Sequence, residues 1–142
     1  MTFQITQPDD WHLHLRDGEL MQDIVTYSAR QFARAIVMPN LKPPITTVAS
    51  ALAYRQRILT SLNGKYTFDP LMTLYLTDNT KPEEILRVKD SPHVYAVKYY
   101  PAGATTNSDA GVTRLDKVFD VIAAMENYQV PLLVHGEVTD AL

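Results

Sequence analysis

Between Asp10 and Arg16 the chain alternates polar and apolar residues, Asp10-Trp11-His12-Leu13-His14-Leu15-Arg16, and no other segment restricts the fold as tightly. With the two-residue period of a strand, Trp11, Leu13 and Leu15 fall on one side, and Asp10, His12, His14 and Arg16 on the other. Downstream, short apolar strands alternate with amphipathic helices, without a linker, a fixed-period repeat or a low-complexity tract. The strand candidates are Asp10–Arg16, Ala35–Pro39, Leu71–Thr77, Val94–Tyr99 and Pro131–His135. The helix candidates are Glu19–Phe32, Thr47–Leu62, Lys81–Lys89 and Gly111–Tyr128. In the last of these, Leu115, Val118, Phe119, Ile122 and Met125 recur at steps of three and four, with Thr113 signalling the start. Val48, Leu52, Tyr54 and Ile58 give the second helix a looser stripe, closed by Asn63-Gly64. Thr80 reads as the N-cap of the third, with Pro82 in its first turn.

A βα series folds either as an open doubly wound sheet or as a barrel, which closes at eight strands and roughly 250 residues. Parallel strands covered by helices on both faces read apolar throughout, so four ionisable residues in line need a polar interior. A barrel lumen provides one. The expected architecture is therefore α/β, a partial TIM (β/α) barrel of about five parallel strands in sequential order, with right-handed crossovers through four helices. Residues 1–142 would form the first half of such a barrel without an internal boundary. With 46% hydrophobic and 20% charged residues, the 142-residue chain has the composition of one globular unit. A net charge of -3 and no Lys/Arg run longer than a pair exclude a nucleic-acid footprint. The absence of cysteine removes disulfides and thiolate zinc sites, leaving histidine, carboxylate and modified lysine as metal ligands. There is no 18-residue apolar run and no basic-then-apolar opening, so a cytoplasmic protein without membrane contact is expected.

The chemistry gathers at the C-terminal ends of the strands, where barrels and open α/β sheets both bind ligands. His12 and His14 stand about 6 to 7 Å apart along one strand face, from two rises of about 3.3 Å, close enough for both imidazoles to meet one metal ion. A pair of ordinary satisfied histidines reads the same way. Asn40 ends the second strand as a ligand-binding amide or as a turn residue before Pro43-Pro44. Lys98 shares its face with Val94 and Ala96, so it points inward. There it needs a salt bridge, a neutral amine or a covalent modification. His135 closes the fifth strand after Leu132-Leu133-Val134.

Three histidines and a lysine thus end strands at one pole of one sheet. The segments that carry them resemble, in order, the signature segments of the bacterial dihydroorotases, zinc amidohydrolases of pyrimidine biosynthesis. These are Asp10–Arg16, Val37-Met38-Pro39-Asn40, Val97-Lys98-Tyr99-Tyr100-Pro101-Ala102 and Leu132–Glu137. Pro43–Thr47 and Ala104–Asn107 match as well, and the likeness runs over essentially the whole chain. The resemblance implies that His12 and His14 hold one zinc, that carbamylated Lys98 bridges two, and that His135 holds the second. It implies a bridging hydroxide that attacks the ring amide of dihydroorotate, in a reversible interconversion with N-carbamoyl-L-aspartate. It assigns the substrate carboxylate to Arg16 and Asn40, and a closing loop with hydroxyl donors to Thr105 and Thr106.

Two family residues have no counterpart here. The remaining zinc histidine and the catalytic aspartate come from later strands, so no general base is expected before Leu142, and the isolated chain is expected to be inactive. A fragment, one product of a split gene and a truncated protein are all compatible with this. The expected partner is the remainder of the barrel, in the same or another chain, beside a homo-oligomer as a second way to cover exposed edges. The competing reading is a noncatalytic half-barrel that serves assembly or binding. It rests on the missing aspartate, whereas the retained ligands favour the enzyme.

Overall fold

The computed structural model describes residues 2–137. Five strands, β1 (Asp9–Leu13), β2 (Arg34–Val37), β3 (Asp69–Tyr75), β4 (Val94–Tyr99) and β5 (Leu132–Val134), form one sheet in sequence order. Every neighbouring pair is parallel. Four helices connect them, α1 (Gly18–Gln31), α2 (Val48–Leu62), α3 (Pro82–Asp90) and α4 (Phe119–Tyr128). The chain is a half-barrel, one of the two arrangements that its βα alternation allows. No described helix is long and apolar enough to cross a membrane.

Local chemistry explains the helix limits, and departs from expectation at two of them. Thr47 accepts from the Ser50 N–H while the Ser50 hydroxyl takes the Thr47 N–H, a reciprocal cap that opens α2. Asn63 (φ 47°) and Gly64 (φ 69°) close it in the left-handed region. Its buried stripe is Ala51, Tyr54, Ile58 and Leu62, so Val48 is only half-buried and Leu52 faces outward. Lys81 rather than Thr80 is the N-cap residue of α3, because the Thr80 hydroxyl turns back to accept from the Thr77 N–H at 2.9 Å. The largest difference is at α4, whose helix starts at Phe119 instead of near Gly111. Thr113 gives its N–H and its hydroxyl to the two carboxylate oxygens of Asp78, at 2.9 and 2.7 Å, which ties it to the loop after β3. One 3₁₀ turn, Leu115–Val118, follows. Val118, Val121 and Met125 are buried, whereas Leu115 (50%) and Phe119 (59%) stay exposed.

The sheet separates two interiors. On the helix side, Val25, Val37, Ile58, Leu74, Ile85, Val97 and Val121 belong to one continuous apolar core. On the other side lie Thr73, Tyr75, Ala96 and Lys98, paired Thr73 with Ala96 and Tyr75 with Lys98 across β3 and β4. Two bulges set the phase of these faces, and neither follows from the alternation in sequence. In β1 the register slips between Asp10 and Leu13, so Asp10 is out of line with His12 and instead accepts the His12 N–H at 2.9 Å. The strand ends at Leu13, and Trp11 is 61% exposed rather than part of the buried face. In β4 a slip opposite Met72 and Thr73 sends Val94 to the helix-side core, leaving Ala96 and Lys98 inward.

Candidate active site

His12 and His14 project to the same side, with their Nε2 atoms 3.2 Å apart. Two imidazoles bound to one tetrahedral zinc at 2.0–2.1 Å each would place their nitrogens roughly 3.3 Å apart, so the pair fits one ion without rearrangement. Burial holds the His14 imidazole down at about 4, with the Arg16 guanidinium and then His12 adding to the effect, and the Asn40 side chain partly opposing it. His12 is also lowered, by burial first and by Lys98 next. Both are therefore neutral near pH 7, the form that ligates metals.

Lys98 lies in the second interior at 2% exposure, and its Nζ donates to the Val134 carbonyl at 3.3 Å. No carboxylate pairs with it among the described residues, which removes the ordinary salt bridge as the explanation of an inward lysine. Burial lowers its affinity for a proton. His135 follows β5 and stacks on Tyr100 with ring centroids 5.8 Å apart, while Glu137 Oε2 stands 3.3 Å from its Nε2. Among the described residues no three His, Cys, Asp or Glu side chains converge as a metal cluster. The structure brings His12 and His14 into ligating distance; it places Lys98 and His135 around the same interior.

Arg16 has a left-handed backbone (φ 59°), unusual for a side-chain-bearing residue, and the buried Tyr54 of α2 donates its hydroxyl to the Arg16 carbonyl. That anchor turns the chain out of β1 and aims the guanidinium inward, where Arg16 Nη1 has no hydrogen-bond partner among the described residues. Asn40 is 2% exposed and donates from Nδ2 to the Thr106 carbonyl at 2.9 Å, while Asn107 Nδ2 donates to the Asn40 carbonyl at 3.0 Å. Tyr75 donates its hydroxyl to the Asn107 carbonyl at 3.2 Å, so the loop carrying Thr105 and Thr106 is latched over the pole at three points. The Thr105 backbone is engaged with Ser108, and Thr106 is exposed.

Five buried polar side-chain atoms have no hydrogen-bond partner among the described residues: His14 Nδ1, Arg16 Nη1, Arg55 Nε, Tyr100 Oη and His135 Nε2. Four of the five surround this one interior, and because buried polar groups are normally satisfied, the concentration makes it the candidate site. Tyr54 and Tyr100 were not singled out by motif. A separate open cleft of about 760 Å³ lies outside this interior, with Thr46, Asp78, Glu84, Arg87 and Thr113 among its walls. Two of its carboxylates are already engaged, Asp78 with Thr113 and Lys117, and Glu84 with Arg87 and the Val48 N–H.

Residues 9–142 match the profile of the Amidohydrolase family. The chain is 65% identical over 139 residues to the dihydroorotase of Nitrosococcus oceani, a match that covers 98% of this chain and 40% of that protein. The crystal structure of dihydroorotase from Campylobacter jejuni superposes with a TM-score of 0.87 at 38% identity, covering 99% of this chain and 43% of the other. That of dihydroorotase from Saccharomyces cerevisiae, in complex with 5-fluoroorotic acid, gives a TM-score of 0.83 at 31% identity over 94% and 38%. The chain thus spans about 40% of the length of the curated relatives it matches.

Proposed function

The chain belongs to the amidohydrolase family, and we propose that it forms the N-terminal part of a cytoplasmic dihydroorotase barrel, which interconverts dihydroorotate and N-carbamoyl-L-aspartate in pyrimidine biosynthesis. One observation carries this reading: two histidines with Nε2 atoms 3.2 Å apart share an interior with a buried lysine that pairs with no carboxylate among the described residues. The donor set suits zinc, with His12 and His14 as one pair, His135 opposite, and Lys98 between them. Zinc held there would supply Lewis-acid polarisation of the ring amide and a nucleophile at neutral pH.

The chain's own residues prepare the rest. Burial disfavours the Lys98 ammonium, so the free amine can bond to the carbon of carbon dioxide, losing one proton and becoming an elongated carboxylate. Arg16 offers an unspent guanidinium whose planar fork matches a carboxylate. Asn40 joins that anion site to the loop of Thr105 and Thr106, so substrate contact and loop closure share one amide. We assign proton transfer to an aspartate of the later barrel strands, in the same or another chain. The single domain 1–142 then contributes ligands and recognition, and the complementary half contributes closure.

Metal content measured on the chain purified without chelator tests this. The parent should carry about one zinc or other divalent ion at most, and the His12→Ala/His14→Ala double variant close to none. Equal content in both would count against the assignment.

A further inference from the structure

Tyr100 follows the last residue of β4 and is 1% exposed, yet its hydroxyl has no hydrogen-bond partner among the described residues. Its carbonyl is held in place. The Tyr100 carbonyl accepts the Val112 N–H at 2.9 Å, and a Cβ on Gly111 would collide with that same carbonyl, so only glycine permits the approach. The ring is fixed as well, between Tyr75 (centroids 5.0 Å apart) and His135 (5.8 Å), with Lys98 Nζ 5.4 Å from its centroid over the face. Because Lys98 lies over the face, it does not engage the hydroxyl at the ring's edge. Arg16 faces the same interior, and its buried Nη1 also lacks a hydrogen-bond partner among the described residues. Arginine can only donate, and a phenol has one proton to give. Both groups therefore lack the same thing, an acceptor.

We propose that Tyr100 and Arg16 form a two-donor clamp for a carboxylate, Tyr100 being a specificity-determining residue that selects an anionic ring substrate over its carboxylate-free counterpart. The inference deepens the dihydroorotase reading and rests on it for the identity of the ring. Arg16 supplies charge and a flat fork; Tyr100 supplies an uncharged, rigid donor that fixes the carboxylate's orientation. A site built to hydrogen-bond a group rejects analogues lacking it, because its own buried donors would stay unpaired.

The test is calorimetric titration of the chain with orotate, with uracil as the same ring lacking the carboxylate, and with benzoate as a planar carboxylate on an unrelated ring. Tyr100→Phe keeps the stack and removes only the hydroxyl. It should weaken orotate about tenfold and leave uracil unchanged, and because it replaces an unsatisfied buried group, the ligand-free melting temperature should hold or rise. Arg16→Gln should also weaken orotate, and the double variant should lose less than the product of the two single losses, since both donors meet one carboxylate. Orotate binding equal in parent and Tyr100→Phe would overturn the clamp while leaving the dihydroorotase reading intact. Equal affinity for benzoate and orotate, both weakened by Tyr100→Phe, would uphold the clamp and sink the ring assignment. A melting temperature that falls sharply in Tyr100→Phe, with orotate and uracil weakened alike, would make the hydroxyl structural and overturn the proposal. So would an absence of orotate and benzoate binding in the parent.

Discussion

The centre of the sheet and its two rims are built differently. In β3 every residue from Pro70 to Tyr75 is buried, with the helix core on one face and the second interior on the other. At the rims, β1 carries Trp11 at 61% exposure, and β5 is three residues long with Leu132 at 36% and Val134 at 57%. The helices beside the rims repeat the pattern, with Leu20 and Tyr27 exposed on α1 and Leu115 and Phe119 exposed on or before α4. His12, His14 and Arg16 lie on or just past one rim and His135 on the other, whereas Lys98 sits on the inner strand β4. Stability is stored in the centre and most of the chemistry at the rims. Elements of low local stability commonly carry ligand sites, and here covering the rims would also assemble the site.

The sharpest way to break this comparison is to shorten apolar side chains in each zone. Leu74→Ala, from a residue 1% exposed, should cost about 2–5 kcal/mol in denaturant unfolding. Val134→Ala, at 57% exposure, should cost less than about 1 kcal/mol. Similar losses at both would show that the rims are as well packed as the centre. Amide hydrogen exchange sharpens the same contrast without mutation, and β3 amides should be protected well beyond those of β1 and β5.

A smaller effect is expected where rim meets core. Tyr54→Phe deletes the hydroxyl that holds the Arg16 carbonyl and should cost about 1 kcal/mol. Arg16→Gly removes the left-handed penalty at φ 59° and should regain up to about 1 kcal/mol while abolishing carboxylate binding. A stability loss in Arg16→Gly would mean that its side chain serves the fold rather than the site.

The smallest effect is in acid. Lys117 and then Thr113 hold the Asp78 carboxyl down at about 2, against an ordinary value of 3.8. Because the folded value is the lower, this stabilisation is present above pH 3.8 and disappears as pH falls through about 2. Asp78→Asn should flatten that part of the stability profile slightly, as measured by thermal melts between pH 2 and 5, since the pair is exposed and screened.

Much of this was legible from residue order. The βα alternation, the limits of β4, the start of α2 near Thr47 and the stop at Asn63-Gly64 are local patterns, and local physics decides them. What escaped depends on distant partners. The start of α4 is set by Asp78, thirty-five residues before Thr113. The two bulges arise from pairing between strands, and they re-aim the faces on which Asp10 and Val94 lie. In the site, the HxH pair and the inward lysine could be read from strand periodicity. The latch from Asn40 to Thr106 could not, since it spans sixty-six residues. Tyr100 was hidden by its ordinary appearance, because only burial shows that its hydroxyl is unpaired.

The central claim is that this half-barrel contributes Lys98 and its neighbouring histidines to an active site completed by later barrel strands. Mixing the chain with a polypeptide carrying those strands, in zinc and bicarbonate, and following interconversion of dihydroorotate and carbamoyl aspartate tests it directly. Activity should appear only in the mixture, and the Lys98→Ala chain should restore less than about one hundredth of it. Equal restoration by Lys98→Ala and the parent would contradict the account.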